Sequence, residues 1–157
     1  MNRIALLLAG VAAAAAARAQ APTLPAYLKE VRASLAAPKL APGGKTTLTV
    51  TVKIAPGWHV YANKPGDEYA VPTVVEVKPA AGVRALAPVY SAPTAGDNGT
   101  KIHEGEMTVQ IPIVLAPGAK AGKIVLVGAV KSQGCNATSC LPPSTVAFQV
   151  PLTVGKK

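Results

Sequence analysis

Cysteine is scarce in this chain. Only Cys135 and Cys140 occur among 157 residues. Two are too few for the disulfide-dense scaffold of a small secreted protein. Acidic residues are scarce too: seven Asp and Glu stand against sixteen Lys and Arg, a net charge of +9. The lysines are scattered, and no ladder of aromatic residues runs between them. Nucleic-acid binding needs a clustered basic stripe with stacking residues, so that function class is excluded. What remains is a solvated basic surface, suited to encounter with acidic partners or anionic lipid. Beyond the N-terminus no long apolar run occurs, and no segment sustains a helical period. This excludes an integral membrane segment and a helical fold for the mature chain. No internal repeat is visible.

The one apolar run present is N-terminal. Arg3 opens it, residues 4–17 carry it, and Ala17-Arg18-Ala19 supplies a small-residue cleavage pattern. The run reads as a signal peptide over 1–19, followed by one mature domain over 20–157. No cysteine follows the run, so no lipid attachment is expected. Export places the protein in an oxidising compartment, where disulfides form and persist.

Period-two alternation dominates the rest. In Lys45–Ile54, Leu48, Val50, Val52 and Ile54 share one face, with threonines and Lys53 on the other. That is a half-buried antiparallel strand. Met107, Val109, Ile111, Ile113 and Leu115 repeat the pattern, and Pro112 among them suggests an edge or a bulge. Val146, Phe148, Val150, Leu152 and Val154 repeat it again. Residues 124–130 are continuously apolar, as in a central strand. Shorter strands are expected over 31–35, 58–62, 73–77 and 83–86. Pro-Gly and Asn-Gly turns separate them. Frequent short strands with regular turns predict an all-β, immunoglobulin-like antiparallel β-sandwich. An open barrel is the alternative. Residues 20–25 read as a frayed lead-in.

The cysteine pair lies in Gln133-Gly134-Cys135-Asn136-Ala137-Thr138-Ser139-Cys140-Leu141-Pro142-Pro143, between two predicted strands. A ring of about six residues constrains the unfolded chain by only about 2 kcal/mol, against about 4.7 for a hundred-residue loop. Such a ring is a weak staple for a domain able to bury its own core. Spacing alone leaves two readings open: a redox-active disulfide, or a structural one in a non-catalytic binding module. Cys-x4-Cys is not the Cys-x2-Cys of thioredoxin-like motifs. A third reading gathers Cys135, Cys140, His59, His103 and Met107 into a copper site, but residues 136–139 supply no histidine or methionine after Cys135. No metal or other cofactor is therefore expected.

Several neighbours bear on the pair. Trp58, the only tryptophan, is expected in the core. His59 and Tyr61 alternate to the face opposite Trp58 and Val60; one face must look away from the core, which makes these two residues candidates to approach the cysteine end. His59, Tyr61, His103 and Glu104 are candidates to tune a thiolate: an imidazolium lowers a thiol pKa and a carboxylate raises it. Asp67-Glu68 is turn chemistry. Asn136-Ala137-Thr138 matches a glycosylation acceptor, discounted inside so short a ring.

Three stretches carry a family resemblance. They are Pro56-Gly57-Trp58-His59-Val60-Tyr61-Ala62-Asn63 with the Pro65-Gly66-Asp67-Glu68-Tyr69 and Val71-Pro72-Thr73 that follow, Ile102-His103-Glu104-Gly105-Glu106-Met107-Thr108-Val109, and the cysteine segment itself. In this order the chain resembles the N-terminal periplasmic domain of the thiol:disulfide interchange protein DsbD. The resemblance implies an immunoglobulin-like fold and a periplasmic electron shuttle without cofactor. Cys135 and Cys140 become its catalytic pair, with Cys135 forming the mixed disulfide. The implied donor is the thioredoxin-like domain of a membrane electron carrier. The implied recipients are periplasmic disulfide isomerases or cytochrome c maturation proteins. The chain departs from the family in residues 92–101, where the expected cap loop has no aromatic residue. It also ends at Lys157 without an attached partner domain, so the donor is expected to be a separate protein.

Overall fold

The computed structural model describes residues 23–156. The expected signal peptide thus lies outside the described residues. Thirteen strands follow in order: β1 (Leu28–Leu35), β2 (Lys39–Leu40), β3 (Lys45–Ile54), β4 (His59–Tyr61), β5 (Val74–Val77), β6 (Val83–Ala85), β7 (Val89–Tyr90), β8 (Thr94–Ala95), β9 (Lys101–Glu104), β10 (Glu106–Leu115), β11 (Gly122–Ser132), β12 (Gly134–Cys135) and β13 (Ser144–Val154). One sheet has the order β1-β3-β10-β6, with β7 also on β10; a second has the order β2-β13-β11-β5. All pairings are antiparallel except β13 with the short β2. The alternating faces of β3, β10, β11 and β13 supply most of the buried core between the two sheets. This is the all-β, immunoglobulin-like sandwich that the alternation predicts. Among the described residues no helix is long and apolar enough to cross a membrane.

Two expectations need correction. β10 is an inner strand, continuously in register with β3 from Glu106 to Val114, despite Pro112. The proline is tolerated because its nitrogen faces the other neighbour, where pairing breaks between β6 and β7. There Pro112 only accepts, from the Leu86 N–H at 2.9 Å. Trp58 is half-buried rather than enclosed. The aromatic that is fully enclosed is Tyr27, whose ring lies 6.3 Å from that of Trp58. Its hydroxyl donates to the Ser132 carbonyl at 2.8 Å and bonds the Ser144 hydroxyl at 2.6 Å. Tyr27 therefore ties the start of β1 to the neck of the β11–β13 hairpin, immediately below the cysteines.

Candidate redox site

The β11–β13 hairpin runs past its neck into the cysteine loop. Gln133 Nε2 donates to the Leu141 carbonyl at 3.0 Å, and the Leu141 N–H donates to the Gly134 carbonyl at 2.9 Å. Pro142 and Pro143 lie between that bond and the Ser132–Ser144 pair, and they are exposed. Lacking N–H groups, they leave the ladder at no hydrogen-bonding cost. Cys135 and Cys140 face each other as bridge partners and are joined by a disulfide, with Cα atoms 4.0 Å apart. Asn136 organises the four-residue tip. Its Oδ1 accepts from the backbone N–H of Thr138 and of Ser139, each at 2.9 Å, while its own N–H donates to the Ser139 carbonyl. This Asx arrangement holds the loop closed without core packing.

The two sulfur residues differ in environment. Cys135 is 2% exposed, whereas Cys140 is exposed together with residues 137–139. An attacking thiolate needs access to a sulfur. By residue exposure Cys140 is the more accessible of the two, whereas the resemblance implies attack at Cys135.

A third, small sheet gathers the remaining candidates. Its order is β12-β4-β9-β8, so the cysteine segment, the Trp-His-Val-Tyr segment and the Ile-His-Glu segment become neighbouring strands. His59 lies directly opposite Cys135 on one side and Glu104 on the other. Cross-strand partners project from the same face, with Cβ atoms about 5 Å apart. Cys135, His59 and Glu104 thus form one row on the outer face. Tyr61 lies two residues along the same face, its ring edge-on to His59 at 5.8 Å. Burial does not separate His59 from solvent, since both it and Tyr61 are half-buried.

His103 is placed differently. It shares a row with Val60 and Gly134, on the inner face. It is 4% exposed, and its Nε2 has no hydrogen-bond partner. Burial holds its pKa below the ordinary histidine value. Of the four candidate tuning residues, His59, Glu104 and Tyr61 share the face of Cys135, and His103 does not. Met107 is enclosed in the core. The five residues of the copper reading are therefore not brought together. Among the described residues no three His, Cys, Asp or Glu side chains gather as metal ligands.

Residues 92–101 run along the opposite edge of this sheet from the cysteines. β8 pairs with β9, and Gly96 approaches Ile102 so closely that a Cβ there would stand 2.9 Å from its Cγ2. The tip at 97–100 is exposed apart from the half-buried Thr100. It meets the loop after β4, where the Lys101 N–H donates to the Pro65 carbonyl at 2.9 Å. That second loop carries Tyr69, the most exposed large hydrophobic side chain among the described residues at 87%.

Sequence reading missed Tyr27, the turn-forming role of Asn136 and the short strands β2, β7, β8, β9 and β12. A signal for Tyr27 was present: a lone tyrosine just before a strand, with a glycine in the cysteine motif that leaves room for a ring.

The family profile described as "Thiol:disulfide interchange protein DsbD, N-terminal" matches residues 26–152. Among solved structures, the N-terminal domain of DsbD from Neisseria meningitidis in the reduced form is 22% identical, with a TM-score of 0.49. That match covers 83% of this chain and 90% of that chain. The N-terminal periplasmic domain of ScsB from Proteus mirabilis is 19% identical, with a TM-score of 0.51. It covers 79% of this chain and 45% of the ScsB chain, so this chain spans under half of that one. Among curated proteins no sequence match is found.

Proposed function

The chain belongs to the DsbD N-terminal domain family, and from that premise we propose that it is an exported, periplasmic thiol:disulfide exchange protein. Its working groups are Cys135 and Cys140. The observation that carries this reading is a disulfide at the sheet end with one exposed and one buried cysteine. In the loading step a donor thiolate attacks the Cys140 sulfur, and Cys135 leaves as a thiolate. The donor's second thiolate then attacks its own sulfur in the mixed disulfide. Cys140 is released as a thiolate, and the donor becomes a disulfide. Two electrons enter the pair, and two protons complete the dithiol. In the delivery step Cys140 attacks a recipient disulfide, and Cys135 resolves the mixed disulfide and restores the ring.

His59 stands where the Cys135 thiolate appears. An N–H of its ring donated to that sulfur would stabilise the leaving group, and Glu104 lies across the ladder on the other side of the ring. Tyr61 holds the ring edge-on. The donor in this reading is a thioredoxin-like dithiol domain of a membrane electron carrier. The recipients are a periplasmic disulfide isomerase or a cytochrome c maturation protein. The N-terminal apolar run with its cleavage pattern supports export.

A structural disulfide in a binding module is the competing reading, favoured by the Asn136-centred bonds that order the loop. Equilibration of the purified protein in glutathione or dithiothreitol buffers decides between them. A reduction potential below about −300 mV marks a structural bond and rejects the shuttle. A more oxidising potential, with Cys135→Ala trapping a thioredoxin-like partner through Cys140, supports it. Trapping by Cys140→Ala alone would return the attacked sulfur to Cys135.

A further inference from the structure

Charge is segregated along the sandwich. The end opposite the cysteines is built by the turn at 41–44, the Ala80–Val83 bridge, the β10–β11 turn and the C-terminus of β13. Six exposed cations stand there: Lys39, Lys45, Arg84, Lys120, Lys123 and Lys156. Lys39 and Lys123 flank Thr153 in one cross-strand row, about 10 Å apart at two strand spacings. Lys45 and Arg84 flank Val114 in the other sheet. Lys120 lies in the turn between β10 and β11, and Lys156 follows Gly155, whose N–H bonds the Leu40 carbonyl.

No acidic residue shares this end. All seven belong to the other half or its loops. Glu30 pairs with Lys53 at 2.9 Å, and Glu106 lies across the ladder from Lys53. Glu76 pairs with Lys131 at 3.0 Å. Glu104 faces His59, and Asp67, Glu68 and Asp97 sit in the loops around the small sheet. Both ion pairs found among the described residues are therefore in the cysteine half. A row of cations spaced near the physiological screening length of about 8 Å acts as one positive surface.

We propose that this lysine-rich end docks on an anionic phospholipid surface and holds the disulfide end away from it. Three observations favour lipid over an acidic protein. Five of the six cations are lysines, hydrated point charges that need no fixed partner geometry. No aromatic anchor lies among them, while protein interfaces rely on aromatic and arginine hot spots. The cations come from both sheets, the β10–β11 turn and the segment after β13, so they spread over the blunt end rather than line a groove. The ten residues of β3 span roughly 30 Å, which sets the cysteines about that far from the headgroups. This inference stands independently of the redox reading.

Co-sedimentation with vesicles tests it. The purified protein is expected to bind phosphatidylglycerol–phosphatidylethanolamine vesicles at low salt and to dissociate as salt rises. It should ignore neutral phosphatidylcholine vesicles. The triple variant K45Q/K120Q/K123Q should bind on the order of a hundredfold more weakly, about fivefold per lysine. The triple variant K29Q/K64Q/K101Q loses the same charge from the other half and should bind within a few-fold of the parent. Equal weakening by both variants, or no binding to anionic vesicles at low salt, overturns the proposal. Equal affinity for polyglutamate and for anionic vesicles also overturns it, in favour of an acidic protein partner.

Discussion

The ring of Tyr27 occupies the space where a side chain at position 134 would stand. A Cβ built on Gly134 would fall 2.0 Å from Tyr27 Cγ and 2.4 Å from Cδ1. The glycine beside Cys135 is thus set by close approach of a core aromatic. It lets β12 lie over Tyr27, and that contact fixes the height at which Cys135 meets His59. Gly134→Ala is expected to destabilise the protein by about 1–3 kcal/mol, the usual overpacking range. Denaturant unfolding of the oxidised protein checks this. Unchanged stability would mean that the ring gives way freely.

Tyr27→Phe keeps the packing and removes the hydroxyl that joins Ser132 and Ser144. Leaving such buried groups without a partner costs about 1–3 kcal/mol. Hydrogen exchange should show the loss concentrated in the hairpin neck, at residues 130–134 and 144–146, rather than spread over both sheets.

In the proposed exchange, His59 is expected to affect rate more than stability. His59→Phe retains the edge-on contact with Tyr61 and removes the proton-bearing ring. Reduction of the disulfide by a small dithiol should slow about three- to tenfold, as expected for a poorer leaving thiolate. The groups facing His59 are Cys135, Glu104 and Tyr61. Glu104→Gln should therefore change the same rate, while Glu68→Gln should not. A rate that is unchanged in His59→Phe would remove this residue from the mechanism.

His103 contributes a pH dependence of stability. Its folded pKa lies below the unfolded value near 6.5. Its neutral, buried form is therefore fully compatible with folding above about pH 6.5. As pH falls below that, the unfolded chain takes up the proton first, and stability is lost until the folded pKa is reached. His103→Leu removes this loss and an unpartnered buried nitrogen. The melting temperature of the variant should fall less than that of the parent between pH 7 and pH 5. A parallel decline in both proteins would assign the acid sensitivity to other groups.

The two sheets are also joined by one polar contact. The Val75 N–H in β5 donates to the Tyr90 hydroxyl in β7 at 2.9 Å. Burial raises the pKa of that hydroxyl, so it stays protonated across the working range. Tyr90→Phe leaves the Val75 N–H without its acceptor and should cost about 1–2 kcal/mol in denaturant unfolding.

Much of the sandwich was legible because burial on one face imprints a period of two. Lys45–Ile54 was readable to the residue, and 107–115, 124–130 and 146–154 lie within observed strands. The two-residue strands β2, β7, β8 and β12 carry too few alternations to show a period. Pro112 misled because a proline reports only that one N–H is missing, and which neighbour would have needed it depends on the sheet order. Trp58 misled because size predicts burial only on average. Here Tyr27 held the interior place beside Gly134.

The candidate site divides in the same way. Local sequence sufficed for the pair itself: two cysteines in a turn-rich loop between long strands will meet, and flanking prolines keep that loop out of the ladder. Local sequence also sent His59 and Tyr61 to the face opposite Val60. Only the tertiary structure decided that this face is the one shared with Cys135, that Glu104 completes the row and that His103 does not. It alone decided that Cys140 is exposed while Cys135 is covered. It also collected six scattered cations onto one acid-free end. The physical reason is that strand pairing joins residues distant in sequence through backbone hydrogen bonds. Side chains do not specify those bonds individually, so register and neighbour order emerge only when the whole core packs.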